Sequence, residues 1–159
     1  MTILPLVSQL AEQLVTKEYK LSLAESCTGG AIAAACTSLA GSSAWFEAGV
    51  VSYSNAAKTS CLDVPEAVLA EFGAVSREVV EAMATGAASR FGCQVAIATS
   101  GVAGPGGGSA EKPVGTVWIA TSLCGEVVAQ CHHFSGDRAA VQASAVEKSL
   151  QTLLQRLTV

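Results

Sequence analysis

Ser26, Cys27 and Thr28 stand in a row between an acid, Glu25, and a glycine pair, Gly29-Gly30. An apolar run leads into this stretch and an alanine-rich run, "GAIAAACTSLA", leaves it. The three reactive side chains therefore fall on a strand-to-helix turn, with the glycines opening the helix. Hydroxyls and thiols become nucleophiles once a base takes their proton. A helix start adds unpaired N–H groups and a partial positive charge, fit for an anion or a developing oxyanion. The same residues also make a plain helix cap, with Ser26 or Thr28 bonding to those N–H groups.

Two further polar segments fall at expected strand ends, where open α/β sheets bind ligands. In "GSSAWFEAGVVSYSNAAK", Ser42 and Ser43 precede a strand while Tyr53, Asn55 and Lys58 follow it. A tyrosine and a lysine near a serine can relay a proton, although a lysine there is also simply a solvated helix residue. In "TSGVAGPGGGSAEKPVGT", five of the eight residues from Gly101 to Gly108 are glycine, so the backbone can approach a ligand closely. The segment fits neither the Walker loop nor the dinucleotide fingerprint. It is either a flexible loop or, given Pro105, Pro113 and Lys112, a shaped one. His132 and His133 are sequential on a strand, face opposite ways and cannot share a metal. Asp137-Arg138 reads as a helix cap, and the guanidinium fork of Arg138 matches phosphate oxygens.

The elements that must position these residues follow from the pattern of apolar residues. Ile3, Leu6, Val7, Leu10, Leu14 and Val15 have helical spacing, giving a first helix from about Pro5 to Lys17. "YKLSLAE" and "WFEAGVVSYS" read as strands. Helices follow over Asn55 to Cys61, with Asn55 as cap, from Pro65 to near Gly73, and from a Ser76 cap to about Arg90. "QVAIATS" is a central strand. "VGTVWIATSL" and "EVVAQCHHF" form a hairpin around Cys124-Gly125, and Asp137 starts a last helix with a stripe at Val141, Ala145, Leu150, Leu153, Leu154 and Leu157. The order α β α β α α α β β β α predicts one compact α/β domain over residues 1–159, its mixed, mostly parallel sheet covered by helices.

The chain's 159 residues suffice for one buried core, and half of them are apolar. Its nine Lys and Arg residues are scattered and the net charge is −4, which argues against nucleic acid as a partner. Small anions remain suitable ligands. No stretch has transmembrane length, and the start of the chain, with Glu12 and no basic region, does not read as a secretory signal. The six cysteines form no C-x-x-C pair and mostly sit among apolar residues. They read as buried free thiols in a reducing cytoplasm, without a disulfide framework or metal site. The high apolar content of so small a chain points to contacts between subunits and a homo-oligomer.

Taken together, "AESCTGG", "GVVSYSNAAK", "GAVS", "TSGVAGPGGGSAEKPVGTVW" and "FSGDRAAV" resemble, in order and spacing, the CinA C-terminal domain family. The resemblance spans about residues 5–155. It implies that fold, with no cofactor, and hydrolysis of the carboxamide of nicotinamide mononucleotide (NMN) to nicotinic acid mononucleotide and ammonia, in pyridine nucleotide recycling. It also implies a reactive set of Ser26, Ser43, Tyr53 and Lys58. Ser100, Gly101, Gly104, Gly106 and Gly107 of the glycine loop would hold nucleotide or transition-state charge. Arg138 matches a motif arginine, whereas Gln142 stands where many members carry a second arginine. The alternative is a non-catalytic module that binds a nucleotide or a partner.

Amide hydrolysis needs a nucleophile, a base, an acid for the leaving ammonia and donors for the oxyanion. Ser26 is the expected nucleophile, with Ser43 second and Cys27 third, and N–H groups of Cys27, Thr28 or Gly29 would face the oxyanion. Lys58 is the expected base. An unperturbed lysine costs about 4–5 kcal/mol to deprotonate at pH 7, so burial or a nearby cation must lower its pKa. Tyr53 would relay the proton or orient the lysine. Gly30, Asn55, Lys112 and Arg138 complete the expected substrate contacts.

Overall fold

Strand residues of alternating size give the sheet two unlike faces. In the computed structural model, which describes residues 3–159, Val95 and Ile97 point to one side while Ala96 and Ala98 point to the other. The elements run α1 (Ile3–Lys17), β1 (Leu21–Glu25), α2 (Ala31–Thr37), a single 3-10 turn (Ser42–Ala44), β2 (Phe46–Val51), α3 (Asn55–Leu62), α4 (Glu66–Phe72), α5 (Arg77–Phe91), β3 (Val95–Gly101), β4 (Thr116–Leu123), β5 (Glu126–His133) and α6 (Arg138–Leu157). The order matches the expected one apart from the 3-10 turn. No helix among the described residues is long and apolar enough to cross a membrane.

The five strands lie in the order β2-β1-β3-β4-β5. β2, β1 and β3 are parallel, β4 is antiparallel to β3, and β5 is antiparallel to β4, so only β4 runs against the rest. The β4–β5 hairpin turns at Cys124 and Gly125, both at positive φ, 50° and 89°. One face of the sheet carries Leu21, Leu23, Val95, Ile97, Val117 and Ile119 against α1, α2 and α6. The other carries Ala24, Ala96, Ala98, Ala120 and Ala129 against α3, α4 and α5.

Several local expectations shift by a residue. α3 is capped by Ser54, whose hydroxyl accepts from the Ala57 N–H at 3.0 Å, and Asn55 is its first helical residue. Pro65 occupies the cap position of α4 and not its first turn. Ser76 and Asp137 cap α5 and α6 as expected, accepting from Val79 and Ala140. Gly29 and Gly30 precede α2 at φ 59° and 98°, a left-handed excursion that a side chain would strain, and so do not open the helix itself. All six cysteines are free, but Cys124 and Cys131 are exposed.

α3 is held against α5 by a contact that tolerates no side chain. A Cβ at Gly86 would collide with the backbone carbonyl of Leu62, at the C-terminal end of α3. Gly86→Ala is expected to destabilise the protein by about 1–3 kcal/mol, the usual cost of overpacking, read as a lower midpoint in chemical denaturation. An unchanged midpoint would show that the two helices separate freely.

Candidate active site

β1 and β2 are adjacent parallel strands whose connections leave to opposite sides. After β1 the chain enters α2 on the aliphatic face, and after β2 it enters α3 on the alanine face. Such a divergence opens a crevice at the carboxyl ends of the two strands. Ser26, directly after β1, and Lys58, on the second turn of α3, meet there. Lys58 Nζ lies 3.1 Å from Ser26 Oγ, and the two side chains are buried. Nζ also donates to the carbonyl oxygens of Ser52 at 2.9 Å and Tyr53 at 3.0 Å.

Lys58 donates to all three oxygens, a set that the three N–H groups of an ammonium can fill. Once uncharged, the amine would give both N–H groups to the carbonyl oxygens, which only accept, and turn its lone pair to the Ser26 hydroxyl. No carboxylate among the described residues touches the nitrogen. Burial pushes the Lys58 pKa below the ordinary 10.5, because the ammonium loses its water without gaining a counter-ion. The neighbouring Cys27 thiol moves the other way. Burial raises its pKa to about 11, so it stays protonated at neutral pH and is a poor nucleophile.

The turn carrying Ser26 is built on Glu25. Its buried carboxylate accepts from the Thr28 hydroxyl at 2.6 Å and from the N–H groups of Gly30, Ile32 and Ala33 at 3.2, 3.0 and 2.9 Å. The start of α2 is therefore occupied by the protein's own anion, and the expected open anion site there is closed. Thr28 is turned inward, its hydroxyl also 2.9 Å from that of Thr99, and the Ser26 N–H donates to the Thr99 carbonyl at 3.1 Å. The Gly29 N–H is spent on the Ser26 carbonyl. Within this turn, the N–H groups of Cys27 and Thr28 donate to no other described residue.

Next to this turn, a cleft of about 650 Å³ runs between the β3–β4 loop and the start of α6, lined by Ala103, Pro105, Val114, Asp137, Arg138 and Gln142 among others. Arg138 donates to the Gly104 carbonyl at 2.7 Å and to the Tyr53 hydroxyl at 3.0 Å. The Gln142 amide donates to the Cys27 carbonyl at 3.0 Å. The residue standing in for a second arginine thus ties α6 to the Ser26 turn.

Other expected site residues lie apart from the pair. Ser43 is exposed in the 3-10 turn before β2, at the opposite end of the sheet, where Lys20 Nζ donates to its carbonyl at 3.5 Å. The length of β1 separates it from Ser26, roughly 15 Å at the usual rise per residue. The Tyr53 ring is 58% exposed and its hydroxyl faces Arg138, so only its backbone carbonyl reaches Lys58. Asn55 lines a separate groove between α3 and α4. Ser100 is buried and donates to the Ala74 carbonyl at 2.8 Å. Lys112 donates to the Phe72 carbonyl at 2.9 Å, anchoring the glycine loop to the end of α4. Gly101 packs against the Thr116 and Val117 backbone, and Gly106 and Gly107 are exposed in the loop. His132 stacks on Phe134 with ring centroids 5.5 Å apart, consistent with a structural part.

Glu25, Ser52 and Thr99 are residues of the site that the sequence did not single out, and Gln142 stood out only as the replacement for a second arginine. Glu25 was visible as an acid beside a helix start, a common capping signal. Ser52 acts through its carbonyl oxygen, Thr99 through its carbonyl and hydroxyl, and Gln142 through a side-chain bond to a residue 115 positions away, none of which local spacing reveals.

An α/β domain with a buried hydroxyl–amine pair at a strand crossover is a setting for hydrolytic chemistry. The chain belongs to the CinA C-terminal domain family, whose profile matches residues 4–157. It is 53% identical over 150 residues to the nicotinamide-nucleotide amidohydrolase PncC of Pseudomonas putida, covering 94% of each chain. It is 48% identical over 155 residues to the PncC of Escherichia coli K12, covering 97% of this chain and 94% of that one. The crystal structure of a CinA superfamily protein from Klebsiella pneumoniae superposes with a TM-score of 0.96 at 39% identity, over 99% of both chains.

Glu25→Ala strands the N–H groups of Ile32 and Ala33 and frees the turn. The expected outcome is a loss of about 1–3 kcal/mol in denaturant-monitored stability, accompanied by weaker catalysis in whatever fraction remains folded. Full stability in that variant would mean that water replaces the carboxylate without cost.

Proposed function

We infer that residues 1–159 form a single amidohydrolase domain that converts nicotinamide mononucleotide to nicotinic acid mononucleotide and ammonia. The observation that carries the mechanism is the 3.1 Å approach of Lys58 Nζ to Ser26 Oγ in a buried crevice without a counter-ion. The relatives' nicotinamide-nucleotide amidohydrolase names and the near-complete coverage support the substrate. A cytoplasmic location and a homo-oligomeric state belong to the same reading.

Neutral Lys58 takes the Ser26 proton as Oγ attacks the carboxamide carbon. The carbonyl oxygen becomes an oxyanion, received by the N–H groups of Cys27 and Thr28. One such donor is typically worth ~10²–10³ in rate. The protonated Lys58 then gives its proton to the departing nitrogen, ammonia leaves, and the nicotinoyl group remains as an ester on Ser26. Water attacks this ester while Lys58 again serves as base, releasing the carboxylate product and restoring the hydroxyl. Ser52 and Tyr53 contribute through their carbonyl oxygens, which hold the amine with its lone pair toward Ser26. The phosphate of the substrate is assigned to the cleft beside Arg138, whose guanidinium would exchange the Tyr53 hydroxyl for phosphate oxygens.

Ser26→Ala and Lys58→Ala are each expected to lower ammonia release from nicotinamide mononucleotide by at least ~10²–10⁴-fold, with far-UV circular dichroism unchanged. Ser43→Ala should match the unsubstituted protein. Near-normal turnover by Ser26→Ala would remove the mechanism while leaving the substrate open to test by the ammonia assay itself.

The base works only when uncharged, so activity should rise with pH on the acid side. The neutral fraction grows about tenfold per pH unit until it levels off at the Lys58 pKa, which burial brings below 10.5. A profile of kcat/KM against pH should show this limb. Lys58→Arg, which keeps the charge but cannot shed it, should lose activity at every pH.

A further inference from the structure

We propose that the permanent positive charge of the nicotinamide ring expels the proton from Lys58 as the substrate seats, so that the substrate switches on the base that cleaves it. The proposal rests on the function inferred above and explains how that site tells a pyridinium carboxamide from other amides.

The surroundings of Lys58 make its proton easy to displace. Its three contacts, Ser26 Oγ and the carbonyl oxygens of Ser52 and Tyr53, are all neutral. From the β1–α2 turn come Glu25, whose carboxylate is committed to Thr28 and the α2 N–H groups, and Cys27, a protonated thiol. From the loop before α3 comes Tyr53, its hydroxyl turned away to Arg138 of α6. The face of α5 packed here offers Val79, Val80, Met83 and Ala84, none of which titrates. Glu66 of α4 lies in the separate groove with Asn55 and Thr59, and Asp137 caps α6 across the cleft. Among the described residues no anion touches the amine to hold its charge against an incoming cation.

The substrate brings such a cation by its covalent structure. The ring nitrogen is three bonds from the carboxamide carbon, and that carbon must come within ~3 Å of Ser26 Oγ to react. With Nζ 3.1 Å from the same oxygen, the two positive charges lie about 6 Å apart. At an effective dielectric of about 20, their repulsion moves the protonation of Lys58 by roughly two pH units. The proton leaves to solvent on binding, before any bond is made or broken. An otherwise similar amide on a neutral ring would find the base still charged.

The test uses Ser26→Ala, which keeps Lys58 but cannot turn over. Titration calorimetry with nicotinamide mononucleotide, in buffers of different ionisation enthalpy between pH ~7 and ~10, reads the protons released. The comparison ligand is the reduced, dihydropyridine form, which has the same carboxamide, ribose and phosphate on an uncharged ring. The expected result is net proton release with the oxidised ligand, passing through a maximum with pH, little or none with the reduced ligand, and none in Ser26→Ala/Lys58→Met. Binding of the oxidised ligand without proton release at every pH, or equal release by both ligands, would overturn the proposal alone. A failure of the oxidised ligand to bind at all would overturn the substrate reading and this proposal with it.

Discussion

One amine, sealed at the crossover of two strands with only neutral oxygens around it, governs the rest of the structure. A buried lysine with a carboxylate partner stays charged and inert as a base. One with no partner is pushed toward the uncharged form, and that form is the one that can accept a proton. Lys58 belongs to the second kind. The fold creates the condition by using main-chain carbonyls, from Ser52 and Tyr53, in place of a carboxylate. Glu25, the acid beside Ser26, is diverted to the start of α2.

That diversion ties electrostatics to architecture. The Glu25 carboxylate satisfies donors that would otherwise be buried without partners, and in doing so it shapes the turn that presents Ser26. It also cancels the positive pole of a short helix. In the proposed mechanism the oxyanion falls to the N–H groups of the turn itself, and the phosphate to Arg138 at the far side of the cleft. Gln142 completes the assembly by bonding the Cys27 carbonyl, so α6 braces the turn as well as lining the cleft.

Much of the fold was legible because periodicity and capping act over a few residues. The α6 stripe, the Ser76 and Asp137 caps and the Cys124-Gly125 hairpin could be read directly, and each expected strand is present. The site was legible only in part. The juxtaposition of Ser26 with Lys58 came through motif resemblance; nothing in residue spacing says that positions 32 apart will touch. Ser43 ranked second to Ser26 as a serine flanking a strand. Strand direction puts the two at opposite ends of the sheet, and direction is a property of the whole topology. Tyr53 and Lys112 were chosen for their side-chain chemistry, yet the structure uses the carbonyl of one and the anchoring reach of the other. The cap of α3 was missed by one residue because Ser54 and Asn55 are both good capping types.

The unequal faces of the sheet bear on mechanical precision. On the side of α1 and α6, long aliphatic side chains fill the gap and can adjust by rotamer changes. On the side of α3 to α5 the sheet offers alanine methyls beneath Leu62, Leu69, Val79, Val80 and Met83 of the helices, and at Gly86 bare backbone meets the Leu62 carbonyl. At that one contact, spacing is fixed by parts that have no torsions to turn. The helix bearing Lys58 is thus seated at its C-terminal end against α5 without slack, whereas its remaining neighbours can adjust.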